Sequence, residues 1–266
     1  MKQEKVLTKN QIFVIKLLFF LLLCVGVGFF FFSRQQTSKE TTSTENPVIY
    51  QKGKLSIFGD TYTLFPDTDK IGVHENYIFV VEPRKEKTTV YDEKINKKVV
   101  VLNKLALDYD GKNVLYNKSG IDTYFNNVAL GVRCTSAHIK SETEILCILP
   151  KKDDNLDNKL VSINPQTLAT SDIYSSQLTL YYVSYLKNNL YLGAFSLKTK
   201  KNYLLVDEKV ADSPDNVNVI YEKENAIYFG SFQSELNNHT ENYYLIKQTD
   251  TRITTELIEK GKIVFE

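Results

Sequence analysis

The feature that most constrains this chain is a repeat. Asn189 to Phe195 (NLYLGAF) and Ala226 to Phe232 (AIYFGSF) share a Tyr-x-Gly-x-Phe core at an offset of 37 residues. Each leads through a polar loop to a second apolar run, Tyr203 to Val206 and Tyr243 to Ile246. Asn76 to Val80 followed by Thr89 to Asp92, and Leu146 to Leu149 followed by Lys159 to Pro165, have the same hairpin form. Short aromatic and β-branched runs separated by turn residues are the pattern of strands. A repeated unit of this kind cannot bury its apolar face alone and must stack on its neighbours. Beyond residue 47 no stretch carries three turns of helical periodicity, and the 17 tyrosines and 15 phenylalanines suit β structure.

The run Lys159-Leu160-Val161-Ser162-Ile163-Asn164-Pro165 with Gln166-Thr167-Leu168 resembles the blade motif of β-propeller proteins, in which such a strand enters a turn bearing Pro and Thr. The resemblance covers about four units between Tyr77 and Ile258. It lacks the Trp-Asp signature of WD-repeats and the Trp-rich motif of quinoprotein blades. It implies an all-β domain of propeller-like repeated antiparallel units. At about 40–50 residues per blade, residues 48–266 would hold about five. Tyr77, Tyr191 and Tyr228 should then lie on equivalent strands. The interval from Val90 to Val161 is too long for one blade and leaves room for an irregular one containing Leu105 to Phe125. A β-sandwich whose hairpins share only turn chemistry is the alternative.

Upstream lies a different kind of segment. Ile12 to Phe32 is apolar except for Lys16. At about 1.5 Å per residue it would make a helix of roughly 31 Å, close to the hydrocarbon thickness of a bilayer. It has no polar face, and cleavage after Gly28 would leave four phenylalanines as a new N-terminus, so an uncleaved anchor is expected. Lys2, Lys5 and Lys9 precede it, which favours an N-terminus on the cytoplasmic side. The expected organisation is a cytoplasmic tail (1–11), a transmembrane helix (12–32), a polar flexible stalk (33–47) and an extracytoplasmic β domain (48–266). A tail of eleven residues is too short to fold, which excludes a cytoplasmic signalling domain. Residues 33–266 keep 29 of the 33 basic and 31 of the 32 acidic side chains, a net charge of −2. Nucleic acid is therefore not an expected partner.

Candidate chemistry is sparse. His74, His138 and His239 have no zinc-like spacing and read as solvated turn residues. No nucleophile elbow, P-loop or dinucleotide fingerprint is present. Asp153, Asn155 and Asp157 alternate like the first ligands of a calcium loop, but Asn158 stands where Gly is needed and Asn164 where Glu is needed. An acidic surface turn is the favoured reading, and no metal or cofactor is expected. Tyr181, Tyr182, Tyr185, Tyr191, Tyr243 and Tyr244 could line a groove for glycan or peptide, yet strand core is the simpler reading. Cys134 and Cys147, the two cysteines outside the apolar run, are expected to form a disulfide across an antiparallel hairpin turning between Lys140 and Ser141. No catalytic residues are assigned. The function that follows is a non-enzymatic, membrane-tethered binding or assembly module of the cell envelope, with a protein or glycan partner. A glycan hydrolase using paired carboxylates, and a structural spacer without ligand, are the alternatives.

Overall fold

The computed structural model describes residues 48–65, 69–118, 122–150, 158–207, 209–235 and 238–265, all within one compact unit, Asn46–Glu266. The expected tail, apolar helix and stalk lie outside these residues. Among the described residues no helix is long and apolar enough to cross a membrane.

The strands form six four-stranded antiparallel sheets arranged as blades. Blade 1 contains β1 (Ile49–Gln51), β2 (Lys54–Ile57) and β3 (Asp60–Thr63). Blade 2 contains β4 (Lys70–His74), β5 (Tyr77–Glu82), β6 (Lys87–Asp92) and β7 (Lys97–Leu102). Blade 3 contains β8 (Leu105–Tyr109), β9 (Val114–Lys118), β10 (Asp122–Phe125) and β11 (Val128–Ala129). Blade 4 contains β12 (Ser136–Ser141), β13 (Glu144–Leu149), β14 (Asn158–Ile163) and β15 (Thr170–Ser176). Blade 5 contains β16 (Thr179–Leu186), β17 (Asn189–Ser196), β18 (Lys201–Val206) and β19 (Lys209–Ser213). Blade 6 contains β20 (Val219–Lys223), β21 (Ala226–Glu235), β22 (Asn238–Gln248) and β23 (Ile253–Lys260). The short C-terminal strand β24 (Ile263–Val264) returns to pair with β1 and completes blade 1.

The innermost strands β4, β8, β12, β16 and β20 each touch the next, and β20 touches β4 past the two-residue β24. This is a six-bladed propeller. Tyr77, Tyr191 and Tyr228 fall on β5, β17 and β21, the second strand of their blades, as the repeat predicts. The irregular blade expected around Leu105 to Phe125 is blade 3, whose outer strand has two residues. The expected count of about five is corrected to six. The missing unit is blade 1, whose short strands come from opposite ends of the domain and carry no internal repeat.

Local chemistry explains the hairpins. Lys187-Asn188 and Glu224-Asn225 both have positive φ, the two-residue turn whose twist matches paired strands, and Asn tolerates that conformation. In the turn after β14, the side-chain oxygen of Asn164 accepts the N–H groups of Gln166 and Thr167. Gly72 pairs with Phe79, whose ring lies where a Cβ would be, 2.1 Å away. Any side chain at position 72 would force that ring out of place.

Apolar burial runs between blades. One cluster joins Tyr50, Leu55 and Ile263 of blade 1 to Ile71 and Val80 of blade 2 and to Val219 and Tyr221 of blade 6. Hydrogen bonds reinforce the same junctions, because an inner strand otherwise leaves an open edge of buried N–H groups. Ala106 N–H donates to Thr88 Oγ1, Ile139 N–H to Asp108 Oδ2, Val183 N–H to Ser136 Oγ, and Ile220 N–H to Tyr182 OH. In each case a side chain of one blade caps the inner strand of the next.

Candidate functional site

The inner strands of blades 2, 3 and 4 place His74, Asp108 and His138 together. His74 is the last residue of β4. Asp108 follows a bulge in the β8–β9 pairing, and His138 precedes one in the β12–β13 pairing. Bulges re-aim side chains, and these two lie beside Asp108 and His138, whereas His74 ends an unbroken β4–β5 pairing. His74 Nδ1 lies 2.8 Å and His138 Nδ1 3.2 Å from Asp108 Oδ2. The same oxygen accepts Ile139 N–H at 2.7 Å. The two imidazoles stack with centroids 4.5 Å apart, and all three side chains are buried. The histidines were expected to be solvated turn residues. His74 and His138 are buried strand residues, because the inner strands of three blades converge on the axis. His239 also belongs to a strand, β22.

Electrostatics separates the two imidazoles. Burial pushes the His138 pKa down to about 4, only partly offset by Asp108 and by a backbone hydrogen bond with Tyr185. Burial also acts on His74, but attraction to Asp108 and the hydrogen bond its carboxylate accepts outweigh it and raise the His74 pKa. Asp108 is desolvated as well, yet the imidazoles and Ile139 N–H hold its carboxyl below the usual carboxylate range. Two imidazole nitrogens and a carboxylate oxygen on converging side chains are donors suited to a divalent transition metal.

Two spaces flank the cluster. A cavity of about 210 Å³ along the axis is lined by Asp69, Ile71, Phe79, Asp108, His138 and Tyr182, among others. A shallower opening of about 290 Å³ is lined by His74, Glu75, Asp110, Asn113 and Glu142, from the turns that follow β4, β8 and β12.

A third, larger space of about 840 Å³ lies between blades 2 and 3, beside the shortened blade 3. Lys70, Lys104, Lys118 and Arg133 line it with Asn103, Asn117 and one acid, Glu86. None of the four cations takes part in an ion pair among the described residues. Desolvation lowers the Lys70 pKa with no carboxylate to offset it. Lys104 lies over the Tyr116 ring at 4.1 Å, which leaves that aromatic face covered.

The other sequence candidates fall elsewhere. Asp153, Asn155 and Asp157 lie outside the described residues. Tyr191, Tyr243 and Tyr244 are buried in core, Tyr181 and Tyr182 staple blade 5 to blade 6, and Tyr185 packs under Lys140. The tyrosines therefore serve packing between strands and blades. Cys134 and Cys147 are joined by a disulfide with Cα atoms 5.4 Å apart. Their expected placement directly opposite each other in a hairpin is corrected. Cys147 pairs with Ala137, and a bulge between Ile139 and Ser141 moves the turn to Glu142-Thr143. Cys134 precedes β12, and its N–H donates to Thr123 Oγ1, so the bond clips the link between blades 3 and 4.

No protein-family model matches the chain, and no curated protein matches it. Among solved structures, the β-propeller domain of Myceliophteria thermophila Cps50 (Swd1) aligns at 8% identity over 73% of this chain and 72% of that one, with a TM-score of 0.43. A chain of a nidogen/laminin complex aligns at 8% identity over 78% of this chain and 91% of that one, with a TM-score of 0.49. The six-bladed architecture rests on the strand pairing described above.

Proposed function

We propose that the chain is a membrane-tethered extracytoplasmic binding module of the cell envelope, holding an acidic protein surface in the groove between blades 2 and 3. The observation that carries this reading is the groove itself. Among the described residues it gathers four cations against one acid, in a domain whose net charge is slightly negative. Such segregation steers and orients an anionic partner. A protein is favoured over a glycan because Tyr116, the aromatic ring of the groove, is buried, lies under Lys104 and stacks with Tyr124, which leaves it little surface to offer a sugar.

Tethering and export are supported by the apolar run Ile12 to Phe32 with its basic flank. The Cys134–Cys147 disulfide supports them too, since such bonds persist in oxidising compartments. In the axial cavity the hydrolase alternative meets a geometric obstacle. Asp69 and Asp108 are the carboxylates lining the axial cavity. Asp69 precedes β4, Asp108 binds His74 at its far end, and five residues of strand separate these positions by about 16 Å. Glycosidic carboxylates work at about 5–9.5 Å.

The test is recovery from native membranes with the N-terminal segment intact, comparing the wild type with Lys104→Glu and with the Lys104→Glu, Arg133→Glu double variant. A defined protein should co-purify with the wild type, elute with salt, and be lost from the double variant while the fold persists by circular dichroism. Equal recovery by the folded double variant would overturn the groove as the binding surface. Capture of a wall glycan instead would replace protein by glycan as the partner class.

A further inference from the structure

We propose that His74, Asp108 and His138 form a binding site for one divalent transition-metal ion of the zinc type, clamping blades 2, 3 and 4 at the mouth of the axial channel. Four observations converge on it.

The first is the donor set and its spacing. Ligands about 2.1 Å from one ion and 90–109° apart lie roughly 3.0–3.4 Å from one another. The two nitrogen-to-oxygen separations are 2.8 and 3.2 Å, and all three ligand atoms lie within 4.8 Å of one another. An ion therefore needs shifts of a few tenths of an ångström in those two contacts, together with rotation of the rings out of their stack to bring the imidazole nitrogens, which lie within 4.8 Å, into the same range.

The second is a deficit of donors. His138 faces two acceptors, Asp108 Oδ2 and the backbone of Tyr185. A neutral imidazole has a single N–H. With that proton directed to Tyr185, Nδ1 presents a lone pair to the Asp108 oxygen. A cation between them converts that repulsion into two bonds.

The third is comparison with the other junctions. Where β12 meets β16 and where β16 meets β20, a hydroxyl of Ser136 or Tyr182 caps the next inner strand. A buried carboxylate carrying two imidazoles, where β8 meets β12, is far more than capping an N–H requires. Ile139 N–H and the Tyr185 backbone hold two of the ligands in place, as outer partners do in metal sites.

The fourth is a path. His74 lines the opening at the channel mouth together with Glu75, Asp110 and Glu142. Carboxylates at a concave mouth raise the local cation concentration. On that side a water can complete the coordination.

The experiment uses the full chain in detergent, stripped with a chelator and then titrated with Co²⁺ and with Zn²⁺. One equivalent should bind, the cobalt form should gain visible d–d absorption, and zinc should displace it. Affinity should fall at least about a hundredfold in His74→Gln and in His138→Gln, and remain unchanged in His239→Gln. Substoichiometric binding by the wild type would overturn the site, as would an unaltered cobalt spectrum in both ligand variants. Should either ligand variant fail to fold, X-ray absorption at the zinc edge of the wild type decides. Two imidazoles and a carboxylate in the first shell uphold the assignment, and any other ligand set ends it.

Discussion

Tyr182 carries its hydroxyl across the junction between blades 5 and 6, where it accepts the N–H of Ile220 at 2.9 Å. The neighbouring Tyr181 does the same for Val217. Adjacent residues of a regular strand point to opposite faces, but the β16–β17 bulge between Leu180 and Tyr182 lets both reach one neighbour. Ile220 is almost fully buried, so losing its acceptor leaves an orphaned donor away from water. Tyr182→Phe should destabilise the domain by about 1–3 kcal/mol, seen as a lower urea midpoint at unchanged slope. An unchanged midpoint would mean that water or another group takes over the N–H. That these tyrosines lie on a strand and serve its packing was legible in the sequence. Their hydrogen-bond role was not, because it depends on a bulge and on a strand 38 residues away.

The element that closes the ring is β24. It has two residues, yet Ile263 and Phe265 beside it are among the most buried side chains, and Val264 accepts a hydrogen bond from Tyr221 OH of blade 6. Removing Lys262 to Glu266 exposes the inner edge of β1 and forfeits about 3–6 kcal/mol of apolar burial from those two side chains alone. The truncated protein should unfold at markedly lower temperature and associate through its open edge, visible by calorimetry and size-exclusion chromatography. A monomer with the parent melting temperature would show that the ring does not need this closure.

For the whole molecule, the proposed tether makes a prediction of topology. With the N-terminus inside and the apolar run spanning, protease added to spheroplasts should digest the body beyond Ser33 while a tag at Met1 stays protected. A mature protein beginning downstream of Gly28 would establish cleavage and remove the anchor. Proteolysis of the tag with the body protected would reverse the orientation and place the disulfide in a reducing compartment, where it would not persist.

Strand content, the hairpin repeat and the equivalence of Tyr77, Tyr191 and Tyr228 were determined by the sequence alone, because side-chain alternation and turn chemistry are local and act within a few residues. The pairing partners Cys134 and Cys147 were also determined there, by being the two cysteines beyond the apolar run. Tertiary structure decided the rest. Blade 1, which raises the count to six, is completed only because β24 meets β1, more than 200 residues away. Cys134 reaches Cys147 from outside the hairpin because a bulge shifted the register. His74, Asp108 and His138 stand 34 and 30 positions apart, about one blade each, and nothing in their neighbours marks them. Their one shared signal is position, each on the inner strand of its blade, and that position acquires meaning only when the ring brings those strands to one axis. The basic groove likewise collects Lys70 and Lys118 from strand ends and Lys104 and Arg133 from connections. Local rules shape the blades, whereas the sites arise where blades meet, and the chain path between blades is set by packing around the ring.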